Sequence, residues 1–225
     1  MENAPSPPKT MRAWVVTQRG NPIDVLQLRT DYPVPAAPKG SDLLIRITHA
    51  CLNPADIFLC SILPTWLPFR RNPIPGFDFA GRVELAGPSA PHEFAPGAEV
   101  CASLSMRDIL TGRGTLAEFV LTSSAMVSLK PKELSLAASS GLGIAGQTAA
   151  IMLQEARIKE GDRVLVNGGS GGVGTLLVQI AKGKGAHVTA TCSNANISMV
   201  KRLGADEVRA SAESDSTRHN LQPGH

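Results

Sequence analysis

Cysteine is scarce in this sequence: Cys51, Cys60, Cys101 and Cys192 are the four, and no two stand in a CxxC pair. No secretory apolar segment follows Met1, so a disulfide framework is excluded and the four are read as reduced thiols in the cytoplasm. An excess of one charge is also lacking. The balance is 22 Lys and Arg against 19 Asp and Glu, a net +3 with no basic stripe, which argues against a nucleic-acid partner. No apolar run reaches the ~20 residues of a membrane span. The longest weakly polar stretch, Ser135 to Leu153, is broken by Gly141, Gly143, Gly146 and Gln147 and reads as a buried core helix with its entry loop. The opening MENAPSPPKT has three prolines and an acid, unlike a signal or transit peptide, so residues 1–10 are expected to form a disordered lead-in.

What remains is the composition of a globular protein: 225 residues, 43% hydrophobic, 21 Gly and 17 Pro, enough for one large domain or two small ones. From Met11 to Lys132 the texture is that of short strands. Arg12–Thr17, Leu43–Thr48, Gly81–Ala86, Glu99–Ser103 and Leu116–Thr122 are strand candidates bounded by Gly or Pro, and the proline-rich Tyr32–Gly40 cannot sit inside a sheet. After Lys130 and Pro131 the pattern becomes helix, strand, helix, strand. Leu136–Ala156 is partly helical and Arg163–Asn167 is a short apolar strand. Val173, Leu176, Leu177, Ile180 and Ala181 then mark one helical face before Gly183 and Gly185. His187–Thr191 is a second strand, Ile197, Val200 and Leu203 a second helix, and Glu207 and Val208 open a third strand.

The chemistry lies in VLVNGGSGGVG. Gly169, Gly171 and Gly174 satisfy GxGxxG between a strand and a helix. The first glycine permits the tight turn, the second lets the backbone approach a pyrophosphate, and the third lets the helix pack on the strand. With Ser170, Gly172 and Val173 they form a phosphate loop at a helix N-terminus. At the end of the second strand, where NAD enzymes place an acid for the ribose 2′-hydroxyl, this chain has Cys192, Ser193, Asn194, Ala195 and Asn196. Ser193 and Asn194 can bind a 2′-phosphate and no acid repels it, so NADPH is favoured over NADH. Lys201 or Arg202 is a candidate cation, or merely a solvated helix charge.

Several separated motifs now agree on a resemblance. Asn53, Pro54 and Asp56 fit an NPxD signature, PGFDFAG at Pro75–Gly81 fits PGxDxAG, GTLAEF at Gly114–Phe119 fits a GxxAEY-like strand, and LGAD at Leu203–Asp206 follows the glycine loop. From Met11 to Val208 the chain resembles the medium-chain dehydrogenase/reductases, in the zinc-free branch of quinone oxidoreductases and enoyl reductases. The resemblance implies an α/β plus β architecture: a GroES-like β-barrel over residues 11–132, then an incomplete Rossmann domain over 133–208, with the active site in the cleft between. It implies Asn53 near the nicotinamide and substrate carbonyl, Thr148 near the same end of the cofactor, and Asp56 ordering its loop. Asn53 can also be a plain turn residue and Thr148 a helix cap or a back-bonded hydroxyl. Asp56 and Asp78 read as structural partners rather than acids. Tyr32, the sole tyrosine, lies in the proline-rich connection, which leaves solvent as the proton source.

Zinc-dependent relatives place Cys and His where this chain has Asn53 and Phe77, and their cluster of structural cysteines is missing, so no metal is expected. The reaction implied is hydride transfer from NADPH to a small quinone or enone. The chain departs from the family after LGADEV: residues 209–225 hold few apolar side chains and are expected to be a disordered tail. The sequence is therefore read as a C-terminally truncated member, weak or inactive alone, in which the homodimer contact expected of full-length relatives is doubtful. The alternative is a non-catalytic nucleotide-binding or interaction protein derived from such an enzyme.

Overall fold

The computed structural model describes residues 7–62, 65 and 72–211. Most of the expected lead-in, most of Ile62–Phe69 with Trp66, read from the sequence as a hydrophobic loop packing on the barrel or lining a pocket entrance, and the tail beyond 211 lie outside the described residues. The chain falls into two compact units, Met1–Ile144 and Ala145–His225.

The first unit is built on β1 (Thr10–Val16), α1 (Pro22–Val25), β2 (Leu26–Pro33), β3 (Asp42–Cys51), α2 (Pro54–Ile62), β4 (Asp78–Ala86), β5 (Glu99–Ser103), α3 (Met106–Leu110), β6 (Phe119–Ser123), β7 (Val127–Leu129) and α4 (Leu136–Ser140). Five antiparallel strands run in the order β6-β3-β4-β5-β7, and β1 pairs with β2 in a separate ribbon. Residues 116–118 tie ribbon to sheet: the Trp14 N–H donates to the Leu116 carbonyl at 2.8 Å and the Ile47 N–H to that of Glu118 at 2.9 Å. β1 alternates, with Met11, Ala13 and Val15 buried, whereas Leu43, Leu44 and Ile45 on β3 are all buried because that strand has neighbours on both sides. The core gathers Leu43, Ile45, Phe77, Phe79, Phe94 and Val100. This is the expected GroES-like barrel.

β2 reaches into the proline-rich stretch: Tyr32 and Pro33 pair with Met11 and Thr10. A proline is tolerated there because Pro33 ends the strand. The division at Ile144 lies beyond the change of texture at Lys130 because α4 packs on β3, β4 and β5, and Ile144 packs against the same core.

The second unit holds α5 (Gln147–Glu155), β8 (Arg163–Val166), α6 (Gly172–Gly183), β9 (His187–Cys192), α7 (Ile197–Arg202) and β10 (Glu207–Ala210). Its sheet is parallel, in the order β10-β9-β8, the 3-2-1 half of a doubly wound fold. α6 buries Gly174, Val178 and Ala181 and ends at Gly183; Gly185, with a φ of 82°, is the left-handed residue just past its C-cap. β10 runs past the expected break: Arg209 and Ala210 pair with Thr191 and Cys192, since a main-chain ladder needs no apolar side chains. Among the described residues β8 pairs only with β9, and Leu165 on it is 68% exposed.

Candidate functional site

The NPxD segment lies where β3 gives way to α2. Proline at the first helical position starts α2, and Asp56 at the third turns its carboxylate back: Oδ2 accepts the Asn53 N–H at 2.7 Å while the Asp56 N–H donates to the Asn53 carbonyl at 2.9 Å. This reciprocal pair is one arm of a capping box. The Asn53 side chain is therefore not consumed in capping. Its Nδ2 donates to Asp78 Oδ2 at 2.9 Å, a contact set by sheet register, since Cys51 stands opposite Asp78 across β3 and β4.

Asp78 is wholly buried, and the Ile144 N–H donates to both its oxygens, at 2.9 and 3.1 Å. Ile144 belongs to a π-helical turn, Leu142–Gly146, and this turn closes onto the carboxylate only because residue 143 is glycine: a Cβ there would overlap Asp78 Oδ1. Asp78 thus fixes Asn53 from one side and the end of the first unit from the other.

Asp56 is 5% exposed, and its Oδ1 makes no hydrogen bond among the described residues. Burial pushes its carboxyl above the usual carboxylate range, the Asn53 N–H opposes the rise, the charge of Asp78 adds to it, and the Gly76 N–H opposes it. Burial and the same two carboxylates hold the Cys51 thiol up, which argues against a reactive thiolate beside Asn53. Asn53 and Asp56 line a cavity of about 300 Å³ whose other walls are apolar, among them Leu26, Leu52, Ile57 and Leu116.

In the second unit the sequence-predicted phosphate loop joins β8 to α6. The Gly171 N–H closes a turn on the Gly168 carbonyl at 2.9 Å, and the Gly169 N–H donates to the Thr191 carbonyl at 2.7 Å. A Cβ on Gly169 would meet that of Ala190 at 2.9 Å, and one on Gly174 would overlap the Gly168 carbonyl oxygen. The close approach of the loop to β9, and of α6 to the loop, thus demands glycine at the two positions. The N-cap of α6, Gly171, offers no side-chain acceptor, so no side chain caps the first-turn N–H groups of Gly172, Val173 and Gly174. The cradle fits a diphosphate. Ser193 and Asn194 are exposed at the end of β9; the Ser193 Oγ accepts from Asn196 Nδ2 at 3.1 Å and keeps its own proton to donate. No carboxylate occurs from Cys192 to Asn196.

The structure therefore brings Asn53 and Asp56 together around Asp78 in the first unit, and Gly169 through Gly174 with Ser193 and Asn194 in the second. Thr148 lies in the first turn of α5. Two residues that sequence reasoning did not single out belong to the loop: Asn167 and Thr191, whose side chains meet at 2.6 Å. Their one sequence signal is position, each closing a strand at the glycine loop. Among the described residues no three His, Cys, Asp or Glu side chains group as metal ligands, and no helix is long and apolar enough to cross a membrane.

The alcohol dehydrogenase GroES-like domain model matches residues 39–132. The chain is 34% identical over 227 residues to the chloroplastic NADPH-dependent alkenal/one oxidoreductase of Arabidopsis thaliana, covering 96% of this chain and 55% of that one. It is 40% identical over 207 residues to a chloroplastic quinone-oxidoreductase homolog of Spinacia oleracea, covering 89% and 61%. The quinone oxidoreductase of Coxiella burnetii superposes with a TM-score of 0.75 at 33% identity, over 89% of this chain and 62% of that one.

The chain carries the alcohol dehydrogenase GroES-like domain, and over the span it covers it is similar to quinone and alkenal oxidoreductases of the medium-chain dehydrogenase/reductase family. It spans between half and two thirds of the length of the relatives named. What it holds of this family is the GroES-like domain and the first β-α-β-α-β half of the Rossmann domain.

Proposed function

We propose that the chain serves an NADPH-dependent oxidoreductase of the quinone and enone (enoyl) reductase type, working without zinc. The observation that carries this reading is the glycine cradle at the head of α6 with Ser193 and Asn194, and no acid, at the tip of β9. The cradle donates N–H groups to the diphosphate, and Ser193 and Asn194 donate to a ribose 2′-phosphate that a carboxylate would repel. NADPH, when bound, supplies hydride for an already electrophilic carbon. Asn53 commits one Nδ2 proton to Asp78 and keeps the other for a substrate carbonyl, held in place before the substrate arrives. An amide at 53 and a phenyl ring at 77 are not zinc ligands, so carbonyl polarisation falls to hydrogen bonds. Thr148 is assigned to the nicotinamide end by likeness to the family, and the apolar cavity beside Asn53 admits a small uncharged quinone or enone.

The test is a fluorescence titration of the purified 225-residue chain with NADPH, followed by NADPH oxidation with a quinone and with an enone. Binding should favour NADPH over NADH. Any turnover should fall about 100-fold in Asn53→Ala while binding is kept, the usual effect of removing one preorganised donor. A preference for NADH would overturn the cofactor assignment. Among the described residues the sheet has three strands with β8 unpaired on one side, which favours a second reading for this chain alone, nucleotide binding with weak or no turnover; rapid oxidation would remove it.

A further inference from the structure

The end of β9 carries a hydrogen-bond arrangement that the glycine motif does not require. Thr191 Oγ1 accepts the Gly168 N–H at 3.0 Å and lies 2.6 Å from Asn167 Oδ1, while the Thr191 carbonyl accepts the Gly169 N–H at 2.7 Å. One residue of β9 thus holds two successive peptide groups of the loop and the side chain that precedes them.

The 2.6 Å separation also fixes which way the Asn167 amide faces. It is an O–H···O distance, short for an amide N–H donor, whose bonds cluster near 2.9–3.0 Å. The threonine hydroxyl, already accepting from Gly168, has its proton left to give, so Oδ1 is the atom turned to Thr191 and Nδ2 is turned away. Nδ2 makes no hydrogen bond among the described residues, and Asn167 is exposed at the carboxyl end of the parallel sheet, where ligands of such sheets bind.

We propose that Asn167 is a cofactor-contacting residue, its amide oriented by Thr191 so that Nδ2–H donates to a diphosphate oxygen held at the loop, and that Thr191 is the residue positioning both. This rests on the nucleotide reading above. It adds a side-chain donor to a cradle otherwise made of main-chain N–H groups.

Four proteins titrated with NADPH test it: wild type, Asn167→Asp, Thr191→Ser and Thr191→Val. Asn167→Asp keeps an oxygen to accept from Thr191 but turns an anion toward the diphosphate, so NADPH should bind at least about 10-fold more weakly with an unchanged melting temperature. Thr191→Ser should bind as wild type and Thr191→Val about 10-fold more weakly. Wild-type affinity in Asn167→Asp would overturn the contact, and equal affinity in Thr191→Ser and Thr191→Val would overturn the positioning role. If Thr191→Val does not fold, Asn167→Asp still decides. A wild type that binds no NADPH sinks the nucleotide reading instead, which keeps the two failures distinct.

Discussion

Asp56 shows how one side chain can carry two opposed obligations. Its Oδ2 must accept the Asn53 N–H, which favours the ionised form, yet burial beside Asp78 favours the neutral one, and burial is the larger cause. A carboxyl raised above its unfolded value binds its proton more tightly in the folded protein. Its contribution to stability is fully present below the unfolded pKa of about 4 and is lost as pH rises through the folded one. Asp56→Asn keeps an oxygen for the Asn53 N–H and removes the titration. Urea midpoints measured from about pH 4 to pH 8 should therefore fall less steeply with rising pH in the variant than in the wild type. Parallel slopes would show that Asp56 does not titrate in this range. The motif around Asp56 was legible in the sequence because its partner is three residues away. The contact between Asn53 and Asp78 was not: the two lie 25 residues apart and meet through the register of β3 on β4, with bulges at Leu44/Ile45 and Ile47/His49 shifting the count.

At the scale of elements, legibility followed periodicity. α6 and β9 stand close to their predicted bounds because an apolar helical face and a β-branched run are each local signals, and the glycines between them have local reasons. α2, α3 and β7 were missed, being short and recognisable mainly by their caps or their neighbours; α3, for example, rests on Ser105 bonding reciprocally with Asp108. β2 was hidden by the prolines that follow it. The packing of α6 on the glycine loop gives the sharpest prediction here. Gly174→Ala places a methyl group against the Gly168 carbonyl, and the helix must move off the glycine loop. The variant should lose about 1–3 kcal/mol of stability by urea denaturation and, with the cradle spread, most of its NADPH fluorescence enhancement. Unchanged NADPH affinity in a destabilised protein would separate packing from binding.

For the molecule as a whole, the open side of β8 has a direct consequence for handling. A strand that, among the described residues, pairs on one side and shows Leu165 at 68% exposure is a template for further pairing. Leu165→Lys places a charge on that edge and should lower light scattering at high protein concentration, with no loss of NADPH affinity. Equal scattering by the two proteins would show that association uses another surface.

The two cores differ in kind as well as in size. The first is packed around Phe77, Phe79 and Phe94, whereas the second is made of Leu, Val, Ala and Cys, and no Phe, Trp or Tyr occurs anywhere after Phe119. The second unit is therefore silent in the near ultraviolet. Tryptophan emission, with Trp14 on β1 as one source, follows the unfolding of the first unit alone, while loss of the bound NADPH signal follows the second. Two optical signals recorded in a single denaturation will show whether the halves melt together or in turn.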